Sequence, residues 1–294
     1  MDPALRAERW RRSAAWRRLG ALLLLGAASP AERPSRVEPL TVVACAPGYP
    51  GTTLEAQPGM DALAAAVARA ADRPSTSLTG TYLPTEAEGV ARLQRGSALA
   101  LVPAPFYVKH RTDLALSARL AAVPAGLEGP TEVWTLVARK GRITSPAGLS
   151  GFTVLSIAGY APGFVREVLA GWGALPPDAR IEASSQVLSA LRKAASGANV
   201  AVLLDGAQGA ALATLPFAGE LEVVARSAPV PAALVATVGL PTPEARWRPL
   251  ERALLGLASA PDGSAALEGV RLQRFTPLPP GALEALARAS RAGP

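Results

Sequence analysis

Glu132-Val133-Trp134-Thr135-Leu136-Val137-Ala138-Arg139 is the stretch on which the fold turns. Its alternation is that of a strand, and it follows several shorter strand and helix signals. A second strand-like run, Pro231 to Val238, has the same character. If the first run carries the polypeptide out of one globular lobe and the second carries it back, the chain has two lobes joined by two crossing strands. A mature chain of about 260 residues supports that division, because single cores stop growing near this size.

Working outward, the N-terminal side reads as alternating strands and helices. An apolar strand over residues 40–46 leads into the turn-rich loop Pro47-Gly48-Tyr49-Pro50-Gly51-Thr52-Thr53. A helix over 60–71, a β-branched strand over 75–83, a helix opening at Pro84-Thr85-Glu86 and a strand over 98–102 follow. On the C-terminal side of the crossing run, a strand over 152–157 precedes Gly159-Tyr160-Ala161-Pro162-Gly163-Phe164 and a helix over 165–171, with Pro162 near its first turn. Ser184 or Ser185 is placed to cap a helix over 187–195, and a buried strand over 200–204 ends at Asp205. Residues 243–260 and 280–292 read as closing helices. The fold class is α/β, each lobe a mixed, mostly parallel sheet flanked by helices. Lobe I takes residues 37–135 and 232–294, and lobe II residues 136–231.

The first residues have another character. Arg9, Arg11, Arg12, Arg17 and Arg18 precede the apolar run 19–28, which has the length of a signal-peptide core and is too short to span a bilayer. Residues 1–31 are read as a signal peptide, the alternative being an uncleaved N-terminal anchor. They account for +4 of the formal +7 charge, leaving +3. That remainder forms no basic block and no basic-aromatic stripe, so nucleic-acid binding is not expected. Cys45 is the only cysteine and falls in an apolar strand, so a buried thiol is expected and a disulfide framework is excluded. His110, the only histidine, lies between Lys109 and Arg111 and reads as a solvated basic turn. No second His or Cys stands near it, so neither a metal nor a cofactor is expected. There is no Gly-x-Ser-x-Gly elbow or Gly-rich phosphate loop, and an enzyme is not the reading.

In open α/β sheets, ligands bind at the carboxyl ends of the strands, which selects the candidate site residues. Tyr49 and Thr52 follow the first strand. Phe106 and Tyr107 follow the third. Trp134 lies on the crossing strand, Tyr160, Gly163 and Phe164 flank a helix start in the second lobe, and Asp205 ends a buried strand. A carboxylate at Asp205 can bind an amine or cap the next helix.

Several segments, taken in order, resemble one family. They are the export segment, the first strand with its loop, Gly96-Ser-Ala-Leu-Ala-Leu-Val-Pro103-Ala-Pro105-Phe106-Tyr107, the crossing strand followed by residues 143–151, and Gly269-Val-Arg-Leu-Gln-Arg-Phe275-Thr-Pro-Leu278. Over nearly all of residues 38–280 the chain is similar to the phosphate/phosphonate-type substrate-binding proteins of ABC importers, within the type II periplasmic binding fold. The resemblance implies a monomeric, periplasmic protein that traps a small ligand by hinge closure near residues 135–137 and 231–233. It also implies delivery to an ABC permease in the inner membrane. Family members place several Ser/Thr hydroxyls at a helix start in the second lobe, where free N–H groups hold an oxyanion. Here the corresponding loop, residues 156–163, has Ser156 alone, and Pro162 removes a donor. The N–H groups of Ala161, Gly163 and Phe164 remain for an anion, and an apolar or zwitterionic ligand fits the loop about as well. A sensor or adaptor on the same fold, or an enzyme on it, are the alternatives.

Overall fold

The computed structural model describes residues 40–96, 98–239, 243–282 and 284. The segment read as a signal peptide, residues 1–31, and most of the helix expected over 280–292 lie outside them. The first element is β1 (Leu40–Cys45), a nearly fully buried run of Val and Ala. Thr52 then caps α1 (Thr53–Ala70), which starts earlier than the spacing of apolar residues suggests. The reason is local: Thr52 and Glu55 form a reciprocal capping box that satisfies the first free N–H groups, and Pro58 is accommodated within the helix.

The chain continues through β2 (Leu78–Leu83), α2 (Glu86–Leu93), β3 (Ala98–Pro103), α3 (Ala104–His110) and β4 (Ser117–Pro124). The strand expected over 75–83 is shorter because residues 75–77 form a 3-10 turn. The crossing run is not one strand. It divides into β5 (Thr131–Glu132) and β6 (Thr135–Arg139), with Val133 and Trp134 between them.

Then come β7 (Thr153–Ser156), α4 (Pro162–Leu169), β8 (Arg180–Ala183), α5 (Val187–Ala195), β9 (Val200–Leu204), α6 (Gly206–Ala211) and β10 (Leu221–Arg226). The return is likewise split, into β11 (Val230–Pro231) and β12 (Ala233–Thr237). The chain closes with α7 (Glu244–Gly256), α8 (Gly263–Gly269) and β13 (Leu272–Pro277). The cap expected at Ser184 or Ser185 falls instead on Gln186, whose N–H is held by the Ser184 hydroxyl.

Two sheets organise two lobes. The first has six strands in the order β13-β4-β12-β3-β1-β2, and the second has five in the order β10-β6-β9-β7-β8. Parallel pairing is a smaller share than expected. Two of five pairings in the first sheet are parallel, as are two of four in the second. The crossing explains this, since β12 and β6 each arrive from the other lobe and enter their sheets antiparallel to both neighbours. Between the sheets, β5 and β11 pair as a two-stranded antiparallel ribbon. Trp134 and Ser227 continue it, since Ser227 N–H donates to the Trp134 carbonyl at 2.9 Å and Trp134 N–H to the Ser227 hydroxyl at 2.9 Å.

The outer face of the first sheet is covered by α1 and α7, which bury Met60, Leu63, Val67, Trp247, Leu250 and Leu254. The outer core of the second sheet uses Ala190, Leu191 and Ala194 of α5. A third apolar cluster runs without a break from Val43, Cys45 and Phe106 of lobe I through Trp134 to Val154, Phe164 and Leu203 of lobe II. That cluster packs residues of the first sheet against residues of the second. No helix among the described residues is long and apolar enough to cross a membrane.

Candidate functional site

Strand register decides what meets at the seam. Thr135 of β6 lies opposite Leu204 of β9 in an antiparallel pair, so the next residues outward, Trp134 and Asp205, are brought alongside each other. Glu132 stands just beyond, on the ribbon, opposite Val230. From lobe I the loop after β1 reaches across, and the Tyr49 hydroxyl donates to Asp205 Oδ2 at 3.1 Å. Gly48, at φ 84°, allows the approach; a methyl group there would press on the Ile157 carbonyl at 3.1 Å.

Asp205 also caps α6, since its Oδ1 accepts the Gln208 N–H at 2.7 Å. The capping and cross-lobe roles are therefore held by one side chain. Glu132 Oε2 accepts the Gly206 N–H at 2.9 Å. Both carboxyl groups are buried, Asp205 at 3% exposure and Glu132 at 7%. Burial, reinforced by the neighbouring Asp205, pushes the Glu132 pKa up to about 8, against the pull of the Gly206 and Trp134 N–H groups. Burial also raises Asp205, opposed by the Gln208 N–H and the Tyr49 hydroxyl. Tyr49 itself is raised well above the ordinary phenol value, by burial and then by Asp205 and Glu132.

Aromatic rings close the rest of the seam. Trp134 meets Phe164 edge-to-face at 5.3 Å between centroids, and the two are 0% and 1% exposed. The Trp134 indole N–H lies against the Glu132 carboxyl and favours its charged form, and the buried Tyr160 hydroxyl has no partner among the described residues. Ser156 is absorbed by the fold: its hydroxyl donates to the Leu203 carbonyl and accepts the Ala158 N–H. The Ala161 N–H, expected to be free for an anion, is spent on the Ala158 carbonyl at 2.9 Å. Pro162 is the first residue of α4, followed by half-buried Gly163 in the first turn.

The remaining candidates are scattered. Thr52 is exposed and its hydroxyl is engaged by Glu55 in the α1 cap. Phe106 is fully buried in lobe I, stacked obliquely on His110 at 4.7 Å. Tyr107 is 3% exposed and belongs to the continuous cluster. Residues 109–111 are not the solvated turn expected: His110 is buried, with Nε2 at 2.7 Å from Glu86 Oε1, because α3 turns its last residues onto α2. Lys109 pairs with the same carboxylate, reaches the Tyr160 carbonyl at 2.7 Å and lies 5.7 Å from the centre of the Tyr160 ring. Cys45 is buried and unpaired, its thiol pushed up to about 12 by burial and by Glu86 and Glu88. Among the described residues no three His, Cys, Asp or Glu side chains gather as a metal site.

Glu132 and Lys109 were not singled out in the sequence. A signal existed for each: an acid heading an otherwise apolar strand, and one of only three lysines in a chain whose other basic residues, His110 aside, are Arg.

No family model and no curated protein matches the sequence. Solved structures do. XAC2383 from Xanthomonas citri, bound to chloride ion, is similar with a TM-score of 0.65 at 19% identity, over 86% of this chain and 96% of that one. A binding protein component of an ABC phosphonate transporter from Pseudomonas aeruginosa is similar at 0.58 and 12% identity, over 86% and 85%. PhnD1 from Prochlorococcus marinus, in complex with methylphosphonate, is similar at 0.58 and 13% identity, over 87% and 98%. The fold is that of the two-lobed periplasmic binding proteins. In this chain the Tyr49–Asp205 hydrogen bond joins the loops that follow the carboxyl ends of β1 and β9.

Proposed function

We propose that this chain is an exported solute-binding protein whose lobes, residues 37–135 with 232–294 and residues 136–231, close on a small molecule and present it to an ABC-type permease. One observation carries the reading: the Tyr49–Asp205 hydrogen bond joins the carboxyl-end loops of β1 and β9 across the seam, so the two ligand edges are held together in a closed state. Tyr49, Trp134, Tyr160, Gly163, Phe164 and Asp205 would then line the seat, with Tyr107 beside it. Export rests on the basic and apolar pattern of residues 1–31. Binding without chemistry is supported by the thiol at Cys45, which burial and Glu86 and Glu88 hold in its unreactive protonated form.

The ligand is contested by two features. The first turn of α4, with Gly163 and Phe164, suits an oxyanion such as a phosphate- or phosphonate-like group. The buried pair Glu132 and Asp205 opposes one.

A second reading draws on the packing of the seam. Trp134 and Phe164 pack edge-to-face and are buried, as suits a sensor or adaptor that keeps the lobes shut and engages a protein. Small-angle scattering separates the two. The importer reading expects an open protein that compacts when a ligand found by thermal shift is added, whereas equal radii with and without ligand would replace it with the adaptor reading. Ligand binding shifts the open–closed equilibrium only by its differential affinity, so compaction is the decisive readout.

A further inference from the structure

The outer face of lobe II carries a surface that ligand capture does not use. Helix α5 and residues 206–219 lie against the same outer core, α5 through Ala190, Leu191 and Ala194, the later segment through half-buried Leu212, Leu215 and Phe217. Neither α6 nor the two 3-10 turns that follow it bury a residue. Residues 206–219 hold no charged side chain, and from 183 to 219 the single acid is Asp205, which is buried. On α5, Leu188 is left 45% exposed.

Folding gathers around this apolar surface cations that the sequence keeps apart. Arg192 and Lys193 are exposed on α5, and the Arg192 guanidinium lies 5.9 Å from the centre of the Phe217 ring. From the end of β6, Arg139 donates to the Ala195 carbonyl at 3.2 Å and Arg142 to Asn199 Oδ1 at 2.8 Å. The turn after β6, with exposed Lys140, is thereby held at the C-terminal end of α5. Arg139 has a structural duty there, since it satisfies a last helix carbonyl. Lys140, Arg192 and Lys193 have none of that kind, and no carboxylate among the described residues pairs with them. Of the neighbouring acids, Glu222 accepts the Gly141 N–H at 2.8 Å and Glu220 is exposed, so five cations against these two leave the face positive.

Half-exposed apolar side chains among unpaired cations are the pattern with which a protein surface settles into a lipid headgroup layer: the apolar groups reach the acyl boundary and the cations meet anionic headgroups. The centre of a protein interface is poor in lysine. Here Arg192 and Lys193 stand one turn beyond Leu188 on α5, where their long stems can lie along apolar surface while their charges stay in the headgroup layer.

We infer that the outer face of lobe II docks on an anionic lipid bilayer. Leu188, Leu215 and Phe217 enter the headgroup region, and Lys140, Arg192 and Lys193 pair with lipid phosphates. The docking is independent of which ligand the lobes hold and of whether they close.

The test is cosedimentation with vesicles of phosphatidylcholine alone and of phosphatidylcholine mixed two-to-one with phosphatidylglycerol, at low and at high salt. The chain from residue 32 onward is used, because the fold lies within residues 37–294 and the Arg-rich segment before it would bind anionic vesicles by itself. Pelleting is expected with the mixed vesicles, far less with phosphatidylcholine alone, and less again at high salt. Lys140→Glu, Arg192→Glu and Lys193→Glu combined should lower the partition coefficient about tenfold or more, and Leu188→Ser alone about threefold. The same reversal of exposed Arg246, Arg248 and Arg252 on α7 should cost much less. Circular dichroism verifies that each variant is folded; if the first triple variant is not, Leu188→Ser with Lys193→Glu carries the comparison. Equal losses from the two faces would reduce the effect to net charge and overturn the inference, as would equal pelleting with both vesicles or none with either. Retention on immobilised polyglutamate without vesicle binding would assign the face to an acidic protein and overturn it too.

Discussion

Glu132 shows what one residue contributes. Its folded pKa stands near 8, above the ordinary carboxylate value, so between those limits the folded protein holds a proton that the unfolded chain has released. Stability therefore falls as pH rises through that window. Glu132→Gln removes the titration and keeps an acceptor for the Gly206 N–H. The variant should match the parent at about pH 4 and exceed it by about 1–3 kcal/mol at about pH 9 in urea denaturation. A loss of equal size at both pH values would mean that the carboxylate is satisfied as it stands. Asp205 was recognisable in the sequence as a strand-end acid able to bind an amine or to cap the next helix, and the structure shows the cap together with a hydrogen bond from Tyr49. Its partner Tyr49 was named independently, from its own strand end. Their meeting, across 156 residues, is set by the register of β6 on β9 and by the β1 loop, neither of which is written near either residue.

At the scale of elements, α2 shows how closely a helix can be tied to its sheet. Thr85 caps it and receives the Glu88 N–H, and Gly89 lets its backbone approach β1 so tightly that a methyl group would collide with the Cys45 sulfur. Gly89→Ala should gain helix propensity of about 1 kcal/mol and lose more than that to overpacking. The expected net loss is about 1–2 kcal/mol by chemical denaturation, part of it restored by Cys45→Ala in the same chain. A fully tolerated alanine would show that α2 can shift outward. The central strands β1, β3 and β9 and the helix after Pro162 were legible because apolar runs and turn residues mark them locally. By contrast β4, β8 and β13 were not read as strands. Each is at or near a sheet edge, where neighbouring strands rather than its own composition hold it extended.

The whole molecule turns on the ribbon of β5 and β11 and on the seam above it. Removing the one hydroxyl that links the carboxyl-end loops should bias the lobes apart: Tyr49→Phe loses a hydrogen bond worth about 1 kcal/mol, about a fivefold shift toward the open form. Fluorescence energy transfer between one label on each lobe would read that shift, and an unchanged distance distribution would place the closing force in the Trp134–Phe164 packing instead. The sequence by itself determined the α/β class, the two passages between lobes and the buried thiol, because periodicity, turn residues and apolar runs are local signals. Only the tertiary structure decided that the sheets are half antiparallel, that His110 is buried against Glu86, and that two carboxylates share a sealed seam. Those outcomes depend on register and on which loops cross, and register is settled by the packing of residues far apart in the chain.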